Sequence, residues 1–190
     1  MNNNTLDQIL DTAQLLVQSV GFNAFSYADI SREVGIRKAS IHYHFPNKAD
    51  LGEALVARYH VHFRAALTQI DALAVSDLEK LRKFAALYKA GPIHEFRLCL
   101  GVMYGTDYIT LPEKVQEKLT DYFSTNLTWL EQVMDHGLKA GALVFKGTAK
   151  SRAHTFLAAL QGAQLLARSF KDIDKFDEIA EELITALEPN

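Results

Sequence analysis

Cysteine is almost missing from this chain: Cys99 is the one thiol in 190 residues. An intrachain disulfide is therefore excluded, and a reducing compartment suits the protein. Long apolar runs are missing too. Even Phe156 to Ala167 is interrupted by Gln161 and Gln164, so no membrane span is expected. The opening residues, Met1 to Thr5, lack a basic stretch followed by an apolar one, so no signal peptide is read there and a cytoplasmic location follows. No segment alternates apolar and polar residues long enough to make a strand; the short Ala142 to Phe145 run reads as a loop. Local signatures of a Ser-His-Asp triad, paired carboxylates, a glycine-rich phosphate loop or a Cys-His site are absent as well, which points away from an enzyme. No cofactor is expected.

A hydrophobic content of 48% with 23% charged residues belongs to an ordinary globular protein. The net charge of −3 argues against a generally basic nucleic-acid coat. Its distribution is more informative. Residues 30–49 hold Arg32, Arg37, Lys38 and Lys48 against Glu33 alone, with His42 and His44 beside them. Such a basic island suits a short element that meets phosphate, and it equally suits a solvated charged turn.

Periodicity predicts helix after helix. Leu6, Ile9, Leu10, Ala13, Leu16, Val17 and Val20 share one face of a first helix, which Thr5-x-x-Gln8 can cap and Gly21 can end. Ser26-x-x-Asp29 opens a short second helix that stops at Gly35. A third runs from about Lys38 to Phe45 and ends before Pro46. Asn47 caps a long fourth helix carrying Leu51, Leu55, Tyr59, Phe63, Leu67 and Ile70 inward. Helix five starts at Ser76 and is expected to end at Gly91-Pro92. Helix six is placed from about His94 to Tyr104, and helix seven from Pro112 to a stop at Gly141. Helix eight is placed from about Thr148 to Phe170 and helix nine from about Asp174 to Leu187.

Helices two and three are short, joined by a tight turn at Gly35, and the third carries more donors than apolar groups: Lys38, Ser40, His42, Tyr43 and His44. That is the helix-turn-helix pattern, whose second helix enters the major groove. An irregular helical hairpin in an all-α enzyme or ligand carrier would share the pattern. The residues themselves carry a sharper likeness. Gly21-Phe22, the run Phe25 to Ser31, and the run Val34 to Leu51 (VGIRKASIHYHFPNKADL) resemble the DNA-binding segment of the TetR/AcrR family over roughly residues 5–55. The resemblance implies an all-α homodimer with an N-terminal helix-turn-helix domain (residues 1–47). An effector-binding and dimerisation domain (residues 48–190) follows. It further implies a double-stranded DNA operator, palindromic in form, and a small-molecule effector that releases a repressor; an activator would use the same fold.

The expected DNA contacts follow from chemistry with that support. Lys48 can set its ammonium and a helix N-terminus against one phosphate. Ser26 can donate to the backbone as well as cap, and Tyr43 is similar to the family's phosphate-contacting aromatic. Arg37, Lys38 and Ser40 lie at the end of the third helix that meets base edges. Arg37 stands where a small hydroxyl residue is usual, and His42 where tyrosine is common. His42-x-His44 and His60-x-His62 are not read as metal sites, because residues two apart on a helix face different ways.

In the second half, Ala158, Ala159, Gly162 and Ala163 with Leu165, Leu166 and Phe170 form a small-residue and apolar face on helix eight. Phe176, Ile179, Leu183 and Leu187 repeat it on helix nine. The expected dimer interface is Ala158, Ala159, Gly162, Leu166, Phe176 and Leu183, which a symmetric DNA reader requires. The same stripes would also serve as monomer core. Phe96, Cys99, Met103, Tyr104, Tyr108, Phe123, Trp129 and Met134 are candidates to line an effector pocket or simply to fill the core. Cys99 has two readings. Arg97 and His94 close by in sequence would favour a reactive thiolate, and Leu98, Leu100, Val102 and Met103 a packed, inert thiol. The second is preferred.

Overall fold

A computed structural model describes residues 3–93 and 95–189. Among them the chain forms nine α-helices and no strand: α1 (Asn3–Val20), α2 (Tyr27–Val34), α3 (Lys38–His44), α4 (Lys48–Leu73), α5 (Asp77–Ile93), α6 (Leu100–Thr106), α7 (Glu113–Lys139), α8 (Ala149–Phe170) and α9 (Asp174–Thr185), with a 3-10 turn at Tyr108–Thr110. None of these helices is long and apolar enough to cross a membrane.

The caps explain most boundaries. Ser26 accepts the N–H of Ala28 at 3.2 Å while its own N–H donates to Asp29 at 2.8 Å, closing a capping box on α2. Gly35 ends that helix at φ 74°, a left-handed conformation that costs a residue without a Cβ little. Asn47 and Asp50 exchange the same reciprocal bonds on α4, at 2.9 and 3.3 Å. Thr148 accepts from the Ser151 N–H at 3.1 Å to start α8.

Three boundaries differ from expectation. The first helix already runs at Asn3, so Thr5 lies inside it and is not its cap. Helix α5 passes through Gly91-Pro92 to Ile93. Helix α6 starts only at Leu100, because Glu95 and Phe96 both adopt positive φ (56° and 53°), which no α-helix can contain. His94, where that helix was expected to begin, lies outside the described residues. Cys99 caps α6 instead, its Sγ accepting the Val102 N–H at 3.4 Å.

The chain divides into two compact units, residues 1–61 with 99–122, and residues 62–98 with 123–190. The division thus falls inside α4 and α7, not at the 47/48 cap boundary. In the first unit Ile9, Leu10, Ala13 and Val17 of α1 are nearly or wholly inaccessible, as are Ile30, Ile41, Leu51 and Leu55, and α1 packs on α2 and α2 on α3. Removing each of the Ile, Leu and Val side chains from water contributes roughly 1.5–3 kcal/mol before entropic losses. Val20, expected on the inward face, is half exposed. The residues 99–122 belong to this unit through polar ties as well as apolar ones. Asn23 donates through its amide to Thr110 at 2.7 Å and through its N–H to Asp107 at 3.2 Å, and Lys114 pairs with Asp50 and Glu53.

The second unit is built around Phe84 of α5. Phe63, Tyr88, Trp129 and Phe156 surround its ring, with Trp129 stacked on it at 5.4 Å. Buried amides tie α7 and α8 to α5: Gln164 donates to the Tyr88 carbonyl at 2.5 Å and Asn126 to its hydroxyl at 3.4 Å. Helices α8 and α9 pack on each other and on α5.

Candidate nucleic-acid interface

Only Ile41 among the seven residues of α3 is buried, so this helix contributes little to the core and presents most of its side chains. It is held from outside. The Tyr27 hydroxyl donates to the Phe45 carbonyl at 2.9 Å in a buried bond, fixing the end of α3 to α2. Burial, and then the charge of Asp50, push the Tyr27 phenol up to about 12, so it stays a donor across the working range. His42 lies edge-on to Tyr27 at 4.8 Å, with its Nδ1 3.2 Å from the Pro46 carbonyl. Sequence reasoning missed Tyr27 as a positioning group. The signal was the density of aromatics around the cap, Phe22, Phe25 and Tyr27 within six residues.

Arg37, Lys38, His42 and Tyr43 are exposed and Ser40 is half-buried. Arg37 occupies the extended N-cap position of α3 (ψ 145°) and makes no side-chain capping bond, because a guanidinium has only donors and a cap must accept. Tyr43, at 72% exposure, is among the most exposed aromatics, and its ring meets that of His44 edge-on within its own helix. Ser26 departs from expectation. Its hydroxyl donates to Asp29 at 2.9 Å, so its proton is used by the cap and a phosphate would have to compete for it.

Lys48 begins α4. Its Nζ lies 4.2 Å from the Phe25 ring centre and 4.8 Å from that of Phe22, and it donates to the Phe25 carbonyl. Burial lowers the ammonium's pKa, while Asp107 and Asp29 pull it back up. Phe25, Ser26, Tyr27, Ala28, Lys38, His42, Asn47 and Lys48 line a cleft of about 340 Å³. Thus three of the expected DNA-contacting cations and imidazoles, Lys38, His42 and Lys48, meet at one opening. Among the described residues no three His, Cys, Asp or Glu side chains come together as metal ligands.

The candidate effector residues are not brought together in the same way. Cys99, Met103 and Tyr104 are buried in the first unit, where Tyr108 stands on the surface at 43% exposure. Tyr108 is therefore corrected to a surface residue, lifted outward by the 3-10 turn. Phe96 and Phe123 are half-buried members of the second unit. Trp129 and Met134 are buried there, and the Trp129 indole donates to Asp71 at 2.9 Å. Burial pushes the Cys99 thiol up to about 12, against the small lowering from the Val102 and Gly101 N–H groups, so almost no thiolate exists near neutrality. Arg97 pairs with Glu95 at 2.5 Å.

For the expected dimer face, Ala158 is exposed, Ala159, Gly162 and Leu183 are half-buried, and Leu165, Leu166 and Phe170 are 42%, 43% and 66% exposed. Phe176 is a correction: at 1% exposure it packs inside its own chain, as does Ala163, because α8 and α9 turn those residues toward each other and α5.

A short, donor-rich helix held outside the core, following a tight glycine turn in an all-helical chain, defines a helix-turn-helix DNA-binding protein. Comparison with known proteins agrees. Residues 9–55 match the model of the bacterial regulatory proteins, tetR family. A solved transcriptional regulator of the TetR family from Agrobacterium tumefaciens is 34% identical, with a TM-score of 0.94 and 98% of each chain covered. The transcriptional regulator AcuR of Cereibacter sphaeroides is 27% identical over 152 residues, 78% of this chain and 69% of that one. IcaR, the negative transcriptional regulator of the biofilm operon icaADBC in Staphylococcus epidermidis, is 40% identical over 45 residues, 24% of each chain. The chain belongs to the TetR family and is a transcriptional regulator.

Proposed function

We propose that this regulator is a cytoplasmic repressor that binds a palindromic operator as a homodimer and is released by a small-molecule effector. The observation that carries the DNA part is the presentation of α3, with Arg37, Lys38, His42 and Tyr43 exposed and Lys48 at the adjoining cleft. In this reading Arg37, Lys38 and Ser40 read base edges, while Lys48 and Tyr43 hold phosphates. Ser26 fixes the helix that lies between. The likeness of the head to a negative regulator supports repression.

Dimerisation is supported by the second face of α8. Leu165, Leu166 and Phe170 remain exposed beside Ala158 and Gly162, and Ile179 and Leu183 of α9 are half-buried. An apolar face of this extent on a helix that already has a core face suits a symmetric partner. The effector is taken to act by linkage: binding better to the DNA-incompetent state must weaken DNA binding reciprocally. Phe96, Cys99, Met103, Tyr104, Phe123 and Trp129 remain the candidates to feel it.

The test is selection from random duplexes by the purified protein at low salt without added small molecules. Enrichment of a two-fold symmetric site, bound by two chains, is the expected result; a monomer with no sequence preference overturns the reading.

A further inference from the structure

Phe22 follows Gly21, whose φ of 95° turns the chain out of α1, and it is 4% exposed. An ordinary core phenylalanine needs only apolar neighbours. This ring has a cation on it, the Lys48 ammonium 4.8 Å from its centre, and the edge of Phe25 at 6.1 Å. Tyr104 of α6 lies against it at 5.3 Å, tilted by 35°. Helix α4 makes room for it. A Cβ on Gly52 would stand 2.9 Å from Phe22 Cε2 and 3.0 Å from Cζ, closer than side chains approach one another. The next residue, Asn23, is fastened to Asp107 and Thr110, just beyond the end of α6.

Lysine is a flexible four-carbon stem with a compact charge, so its value as a phosphate contact depends on what holds it. Here two aromatic faces and the Phe25 carbonyl hold it at the cleft that Lys38 and His42 share. We propose that Phe22 is a positioning residue for DNA binding: its ring seats the Lys48 ammonium at the phosphate cleft and is itself seated by Tyr104, so that α6 reaches the DNA contact through this ring. The inference rests on Lys48 being a phosphate contact.

The experiment measures the affinity of the full-length regulator for a labelled duplex, selected by the wild type, across a salt series. Lys48→Ala is expected to weaken binding about tenfold and to lower the log affinity–log salt slope by about one. Phe22→Leu, which keeps an apolar group but removes the π face, is expected to lower the slope equally, and the double variant to lose no more than either single one. Tyr104→Leu reads the same seat without touching Phe22 should Phe22→Leu prove unfolded by circular dichroism; it is expected to reduce the slope, and Tyr104→Phe, which keeps the ring, to restore it. A folded Phe22→Leu or Tyr104→Leu with the wild-type slope, or losses that add to those of Lys48→Ala, overturns the inference while leaving Lys48 a DNA contact. An unchanged slope in Lys48→Ala overturns both.

Discussion

Helices α3 and α8 stand in opposite relations to their surroundings. Of α3 only Ile41 is buried, and the helix is kept in place by a bond made outside it, from Tyr27 to Phe45. Helix α8 buries Ala153, Phe156, Leu157, Leu160, Ala163, Gln164 and Ala167 on one face and still leaves Leu165, Leu166 and Phe170 open on another. The difference teaches how each can be used. A helix that adds little to the core is free to spend its surface on donors for a polar partner. A helix that is apolar on two faces has one more than its own chain can cover.

The contrast can be broken first at the packed end. Phe84→Ala removes a ring with four aromatic neighbours and is expected to cost ~3–5 kcal/mol in chemical denaturation, whereas Lys38→Ala on α3 should stay within ~0.5 kcal/mol. Equal costs would mean that α3 is part of the core after all. The open face of α8 is tested at Gly162, where an added Cβ meets nothing within 4 Å in the single chain. Gly162→Leu should therefore leave monomer helicity intact and weaken the dimer by ~1–3 kcal/mol, read by sedimentation over a concentration series. An unaltered dimer removes α8 from the interface.

Smaller effects sharpen the picture inside the first unit. The Tyr104 hydroxyl is fully buried and has no hydrogen-bond partner among the described residues. Tyr104→Phe should therefore raise stability, by ~1 kcal/mol in thermal melts, since an unmet polar group is removed and the ring is kept. A loss of stability would show that the hydroxyl is satisfied. The smallest effect concerns the α2 cap. Bonds from the Ser26 N–H and hydroxyl, and then Arg32, hold the Asp29 carboxyl at about 2 against an ordinary 3.8. Because the folded value is the lower one, the cap's contribution is present above about pH 4 and is lost as pH falls toward 2. Carboxyl titration by NMR should place Asp29 near 2, and Asp29→Asn should flatten the acid limb of stability.

Much of the head was legible because its instructions are local. Ser26 with Asp29, Gly35, and Asn47 with Asp50 act across three or four residues, and each cap stands where the residues predicted it. Helix α6 was misplaced because nothing in Glu95 or Phe96 announces a left-handed backbone; neither is a residue that favours it. The roles of Phe22 and Tyr27 were hidden for another reason. Their partners, Tyr104 and Phe45, lie 82 and 18 residues away, and two aromatics near a cap read equally as filler.

Taken alone, the sequence determined that the chain is helical, most of the helix boundaries, the caps at Ser26, Gly35 and Asn47, and the family resemblance, since those depend on side chains acting on their own backbone within a turn or two. Only the tertiary structure decided which apolar stripe is covered. It turned Phe176 and Ala163 into their own core, left Leu166 and Phe170 open, buried Cys99 among apolar neighbours, and set an aromatic ring beneath Lys48. Periodicity names a face of a helix, but whether water, the same chain or another chain meets that face depends on contacts between residues far apart in sequence.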